Sequence, residues 1–204
     1  MAFFNKKKEQ TPRTEAKRSV AVECLDYLHD IVYLLAVILL VLTFCFRVVI
    51  VSGSSMFSTL VDGDYLLLIN NPLCGELEQG DIVVASMDRF RDSEAIVKRV
   101  IATEGQTVDI DFEQGIVYVD GVALQEDYIS CPTTLEEGTR FPLTVQEGCI
   151  FVLGDNRGVS LDSRNPAIGQ IDTREVLGKA IFLMLPGDHY GQVRQDFNRI
   201  GVIK

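Results

Sequence analysis

Three short segments of this 204-residue chain hold groups that could carry out acyl chemistry together. The first is Val51-Ser-Gly-Ser-Ser-Met-Phe-Ser-Thr-Leu60, a glycine-containing turn that offers hydroxyls at Ser52, Ser54 and Ser55. A serine hydroxyl attacks a carbonyl only when a neighbouring base takes its proton. The second segment, Ile96-Val-Lys98-Arg99-Val-Ile101, supplies a candidate base. If it is a strand, alternate residues face opposite sides. Lys98 then shares a side with Ile96 and Val100, and Arg99 shares a side with Val97 and Ile101. Each charge is set among apolar neighbours. A solvated edge strand would explain the pattern equally well.

A buried lysine would be different. Its ordinary pKa is about 10.4, so holding it neutral at pH 7 costs about 4.6 kcal/mol. Desolvation can lower a lysine pKa by roughly 3–5 units and supply most of that amount. The neutral amine could then accept a serine proton, a nucleophile–base pair that needs no histidine. Backbone N–H groups in the Gly53–Met56 turn are candidates for binding the oxyanion. The third segment, Leu153-Gly-Asp-Asn-Arg-Gly-Val-Ser-Leu-Asp-Ser-Arg164, is dense with groups that orient others. Ser160, Asp162 and Arg164 alternate, so an extended chain would align them. A surface loop with a local Asp–Arg pair is the plainer explanation.

These groups need elements to position them. Ile31 to Ile50 is an apolar run interrupted only by Arg47, close to the roughly 20 residues that cross a bilayer. Arg47 near its end could snorkel to the headgroups. No A-x-A-like cleavage site follows, which favours a retained anchor over a removable signal peptide. Lys6, Lys7, Lys8, Arg13, Lys17 and Arg18 precede the run, so the N-terminus is expected to stay in the cytoplasm. The expected layout is a cytoplasmic tail over 1–30, a transmembrane helix over 31–50 and an extracytoplasmic domain over 51–204. Ser55 lies eight residues beyond Arg47, at most about 29 Å of extended chain, which keeps the hydroxyl near the bilayer.

The outer part reads as many short strands: 64–70, 80–85, 95–102, 108–112, 115–119, 122–124, 149–153 and 176–184. Asp120-Gly121 is a two-residue hairpin signal, and Ser130 to Arg140 reads as loop. The expected fold is all-β, an antiparallel sheet or partly closed β-barrel with a small β cap over roughly 109–147.

Composition narrows the function. The net charge of −10 and the pI near 4.7 argue against nucleic-acid partners, which require a basic surface. The five cysteines form no C-x-x-C pair, and the two histidines, His29 and His189, lie far apart. Neither a metal nor another cofactor is expected. Cys131 and Cys149 fall outside the membrane in this layout, as free thiols or as a disulfide.

Four segments occur in an order that resembles the bacterial type I signal peptidases, membrane-bound Ser-Lys endopeptidases. They are Gly53-Ser-Ser-Met56, Gly80-Asp-Ile-Val-Val84, Lys98-Arg-Val-Ile101, and Gly154-Asp-Asn-Arg157 continuing through Ser160-Leu-Asp-Ser-Arg164. The resemblance implies that Ser55 is the nucleophile and Lys98 the general base. It implies that Ser160 hydrogen-bonds the Lys98 amine, that Asp162 and Arg164 brace the loop, and that Asp155 pairs with Arg99. The Ser55 N–H, in the Gly53–Ser54–Met56 turn, would contribute to the oxyanion hole. The implied substrates are signal peptides of secretory pre-proteins, cut after small residues at the −1 and −3 positions. The peptide would pair as an extended strand with an exposed sheet edge. Three departures stand out: Ser58 occupies a position where the family commonly has proline, Glu104-Gly105-Gln106 stands where it commonly has Pro-Gly-Asp, and Gly53 lies where some members carry an extra hydroxyl donor. A catalytically silent homologue that binds pre-proteins would be expected to lack Ser55 or Lys98. A self-cleaving regulator with the same dyad would be expected to have a DNA-binding domain in place of an anchor.

Overall fold

The computed structural model describes residues 20–87, 94–187 and 196–203. The basic tail that set the expected orientation, and His189, lie outside them. In chain order the elements are α1 (Val20–Cys45), β1 (Phe46–Ile50), β2 (Tyr65–Asn70), β3 (Ile82–Ser86), β4 (Ala95–Thr103), β5 (Thr107–Asp111), β6 (Ile116–Val119), β7 (Val122–Ala123), β8 (Leu143–Thr144), β9 (Cys149–Leu153), β10 (Ile171–Asp172), β11 (Val176–Leu185) and β12 (Gly201–Val202). The chain divides into two units, Met1–Val41 and Leu42–Lys204.

Helix α1 contains an apolar stretch from Glu23 to Cys45, long enough to cross a bilayer. Its large side chains are uncovered, Leu39 at 69% and Phe44 at 71% exposure, which is compatible with an apolar surrounding. The expected helix over 31–50 is displaced. Among the described residues it spans Val20–Cys45, and Phe46–Ile50 instead forms β1. Hydropathy alone does not separate the two states. The β-branched Val48-Val-Ile50 run favours strand, and each residue of Phe46–Ile50 has an antiparallel partner in β2, from Ile69 to Tyr65.

The second unit is all-β. One sheet has eight strands in the order β1-β2-β11-β3-β4-β9-β10, with β12 also on β11. Every pairing is antiparallel. A smaller sheet has the order β7-β6-β5-β8 and covers the region expected as a cap. The hairpin at Asp120-Gly121 forms with φ of 52° and 78°, the double positive φ that favours Gly and tolerates Asp. Strands β8, β10 and β12 are two residues each, too short to leave a periodic signal in the sequence.

Period-two alternation divides the large sheet between two apolar layers. Val83 and Ala85 enter one with Val100, Val152 and Ile171. Ile82 and Val84 enter the other with Leu66, Leu68 and Ala180. The second layer also takes Met56 and Leu60, which pins the serine-rich turn to the sheet. A third cluster joins Ile101, Phe151 and Leu153 of the large sheet to Val108, Ile110, Val117 and Val119 of the small one. The five cysteines are thiols rather than disulfides.

Candidate active site

Strand β4 sets the reach of the lysine. Lys98 lies opposite Val83 and Arg99 opposite Ile82 in the β3–β4 register. Both charged residues are buried, at 4% and 2% exposure, so the solvated-edge explanation does not hold. The Lys98 Nζ donates to Ser55 Oγ at 2.8 Å and to the Val97 carbonyl at 3.0 Å. Burial pushes the Lys98 amine down to about 8, against the pull of the Asp162, Asp155 and Glu137 carboxylates. A substantial neutral fraction then exists near neutral pH, and the 2.8 Å contact can carry a proton from Ser55 Oγ to Nζ. No contact of this kind is recorded for Ser52 or Ser54.

The turn that carries Ser55 is held at several points. Met56 is 1% exposed in the apolar layer beneath it. Gly53 has φ of 89°, a left-handed conformation that glycine adopts without strain. Its N–H donates to Asp62 Oδ1 at 2.7 Å, so Gly53 shapes the turn but is not free to bind an oxyanion. The Ser55 N–H has no acceptor among the described residues. Asn156 meets the turn from the other side: its backbone N–H donates to the Ser55 carbonyl and its Nδ2 to the Ser54 carbonyl.

Arg99 grips Asp155 with two nitrogens, Nε to Oδ1 at 2.9 Å and Nη2 to Oδ2 at 2.8 Å. Thr59 Oγ1 donates to the same carboxylate at 2.5 Å, tying the serine turn to this pair. The Arg99 guanidinium lies 4.0 Å over the Tyr128 ring, a cation–π contact. Tyr128 donates to Glu126, Glu126 holds Arg157 in an ion pair, and Arg157 Nε donates to the Gly154 carbonyl beside Asp155. The contacts close a ring from β4 through the 126–128 loop and back to the 154–157 turn.

The segment from Ser160 to Arg164 does not run extended. Arg164 folds back to bind both Asp162 oxygens and the carbonyls of Arg157 and Ser160. Asp162 accepts the Gly154 N–H, and Ser163 Oγ accepts the Val152 N–H. Ser160 differs from expectation, because its Oγ is buried and has no hydrogen-bond partner. The side chain lies against Gly154, where a Cβ would collide with it and with the Ser55 carbonyl. The Lys98 amine is directed at Ser55 and Val97 O instead. A buried hydroxyl without a partner is costly to keep for structure alone.

A cleft of about 280 Å³ opens over the pair, lined by Val49 to Ser55 and Glu94 to Lys98, with Val84, Val159 and Leu161. Asn156, Thr59, Asp62, Glu126 and Tyr128 carried no role in the sequence reading. Asn156 and Thr59 sit inside quoted segments, so their positions were visible but their partners were not. The others lack any spacing that would single them out.

Comparison with known proteins gives three results. The family model described as signal peptidase, peptidase S26, matches residues 24–185. A signal peptidase I of Bacillus licheniformis is 34% identical over 169 residues, 79% of this chain and 88% of its own length. One from Bacillus amyloliquefaciens is 34% identical over 192 residues, 87% and 94% of the two chains. A solved signal peptidase I from Enterococcus faecalis V583 is 32% identical, with a TM-score of 0.42, over 51% of this chain and 96% of that one.

Proposed function

The chain belongs to the signal peptidase family, peptidase S26, and on that premise we propose that it removes signal peptides as a membrane-anchored Ser-Lys endopeptidase. Ser55 Oγ attacks the scissile carbonyl while the neutral Lys98 Nζ takes its proton. The lysine then gives that proton to the leaving amine, and the peptide C–N bond breaks. A water attacks the acyl-serine, its proton passing to Lys98, and the released Ser55 recovers its hydrogen. The observation that carries this reading is the 2.8 Å Nζ–Oγ contact made by a lysine at 4% exposure.

Supporting roles follow from the contacts. The Ser55 N–H is the oxyanion donor. The Ser160 hydroxyl turns to the Lys98 amine when substrate displaces the resting arrangement, which gives the orphan group a partner. Asp162 and Arg164 hold that loop, and Arg99 with Asp155 fixes β4 to it. The cleft accepts an extended peptide, and its apolar walls at Val49, Val84, Ile96 and Leu161 favour small apolar side chains. The anchor is α1, with the N-terminus cytoplasmic and the β unit outside.

Cleavage of a pre-protein in detergent or liposomes tests the dyad. Ser55→Ala and Lys98→Ala should each abolish product while the melting transition persists. Turnover in either folded variant would remove the assignment.

A further inference from the structure

Gly53 contributes no side chain to an oxyanion site, and its N–H is spent on Asp62. The developing charge therefore depends on the Ser55 N–H, whose direction is not fixed by any acceptor among the described residues. It is fixed from behind. The Ser54–Ser55 peptide is trans, so the Ser54 carbonyl and the Ser55 N–H point in opposite directions. The Phe57 N–H, within the turn, and Asn156 Nδ2, from outside it, both donate to that carbonyl at 3.1 Å. The Asn156 N–H donates to the Ser55 carbonyl at 2.9 Å. One residue thus holds the two peptide planes on either side of the Ser55 Cα.

The amide has a second anchor. Asn156 Oδ1 accepts from Ser130 Oγ at 3.1 Å, and the Ser130 N–H donates to the Asp155 carbonyl. A flipped amide would face oxygen to the Ser54 carbonyl and lose that contact, so the carbonyl specifies one orientation. We infer that Asn156 is a positioning residue for the oxyanion donor: by gripping the Ser54 carbonyl it aims the Ser55 N–H into the cleft. The inference rests on Ser55 as nucleophile. Asn156 reaches no reacting atom itself and acts through the peptide plane.

The distinguishing readout is a loss in kcat with KM kept, because the donor is needed most when charge develops on the carbonyl oxygen. Deleting an oxyanion donor outright lowers kcat by roughly 10²–10³-fold, and misaiming one that remains should cost less, roughly 10- to 100-fold. The experiment compares full-length enzyme and its Asn156→Ala, Asn156→Asp and Ser130→Ala variants on one pre-protein, with melting curves. Asn156→Ala should lose kcat in that range with KM within about twofold and with the midpoint of its pH–rate profile unmoved, since Lys98 is untouched. Asn156→Asp, which sets an acceptor against the Ser54 carbonyl, should lose more. Ser130→Ala should lose less. An Asn156→Ala enzyme with wild-type kcat, or with its whole loss in KM, would overturn the inference. So would loss of the melting transition in both Asn156 variants, which would assign the residue to the fold. Cleavage by a Ser55→Ala control would instead bring down the nucleophile assignment itself.

Discussion

At the scale of single residues, the proposed mechanism makes Lys98 set a rate profile as well as a stability profile. Its folded pKa of about 8 lies below the ordinary 10.5. The amine must be neutral to act, so kcat/KM should rise with pH through a midpoint near 8 and level off above it. Between about 8 and 10.5 the unfolded chain binds the proton and the folded chain does not. Stability therefore rises with pH across that window, and the burial penalty is fully present below it. The difference corresponds to about 3 kcal/mol. Lys98→Met should consequently be more stable than wild type at pH 7, by up to about that amount. The gap should close by pH 10.5. Denaturant melts at the two pH values check this, and a gap that grows with pH would contradict it. The same residue shows how far sequence carries. Strand alternation placed Lys98 beside Ile96 and Val100 but left a solvated edge equally open, and the structure buries it. The Ser160 partner did not follow. The 160–164 segment is a folded turn closed by Arg164, and alternation has no meaning there.

At the scale of elements, the Arg99–Asp155 pair joins β4 to the turn after β9. Both partners are buried, so removing one charge leaves the other unpaired in a dry site, at a cost of about 3–5 kcal/mol. Asp155→Asn should lower stability by that order, measured by denaturant titration. It should also move the pH–rate midpoint down, because the Asp155 carboxylate helps hold the proton on Lys98. A lower stability with an unmoved midpoint would mean that Asp155 braces without tuning. The strands that carry these residues were legible: β2 to β7, β9 and β11 all fall on segments of apolar run or alternation bounded by turn residues. Strand β1 was not, because a β-branched run continuous with an apolar helix gives hydropathy no boundary. Its signal lay in Val48-Val-Ile50 and in the partner strand, information that is non-local.

At the scale of the whole molecule, the proposed topology makes a labelling prediction. Cys24 lies near the start of α1 and Cys131 in the β unit, and both are free thiols. In spheroplasts, a membrane-impermeant maleimide should label a variant retaining Cys131 and spare one retaining Cys24. The reverse pattern would invert the orientation read from the basic tail. The family was legible from four short segments because each is a local string. The ring through Arg99, Tyr128, Glu126 and Arg157 was not, since its members are far apart in the chain and meet only when the two sheets pack.

That ring bears on self-digestion. A peptidase whose substrates are extended segments carries a hazard in its own long irregular stretches. The stretch from 124 to 142 has no strand, yet its backbone is occupied. The Ser130 and Thr139 amides donate to carbonyls of the 154–164 segment, Glu126 is clamped by Arg157, and the Leu135 carbonyl accepts from Arg164. A chain tied down at that many points cannot straighten into a neighbour's cleft. Under the proposed function the same contacts would keep this segment out of a neighbour's cleft, and fragments of concentrated Arg157→Ala and Arg164→Ala enzyme, sized by mass spectrometry, should map first to 124–142.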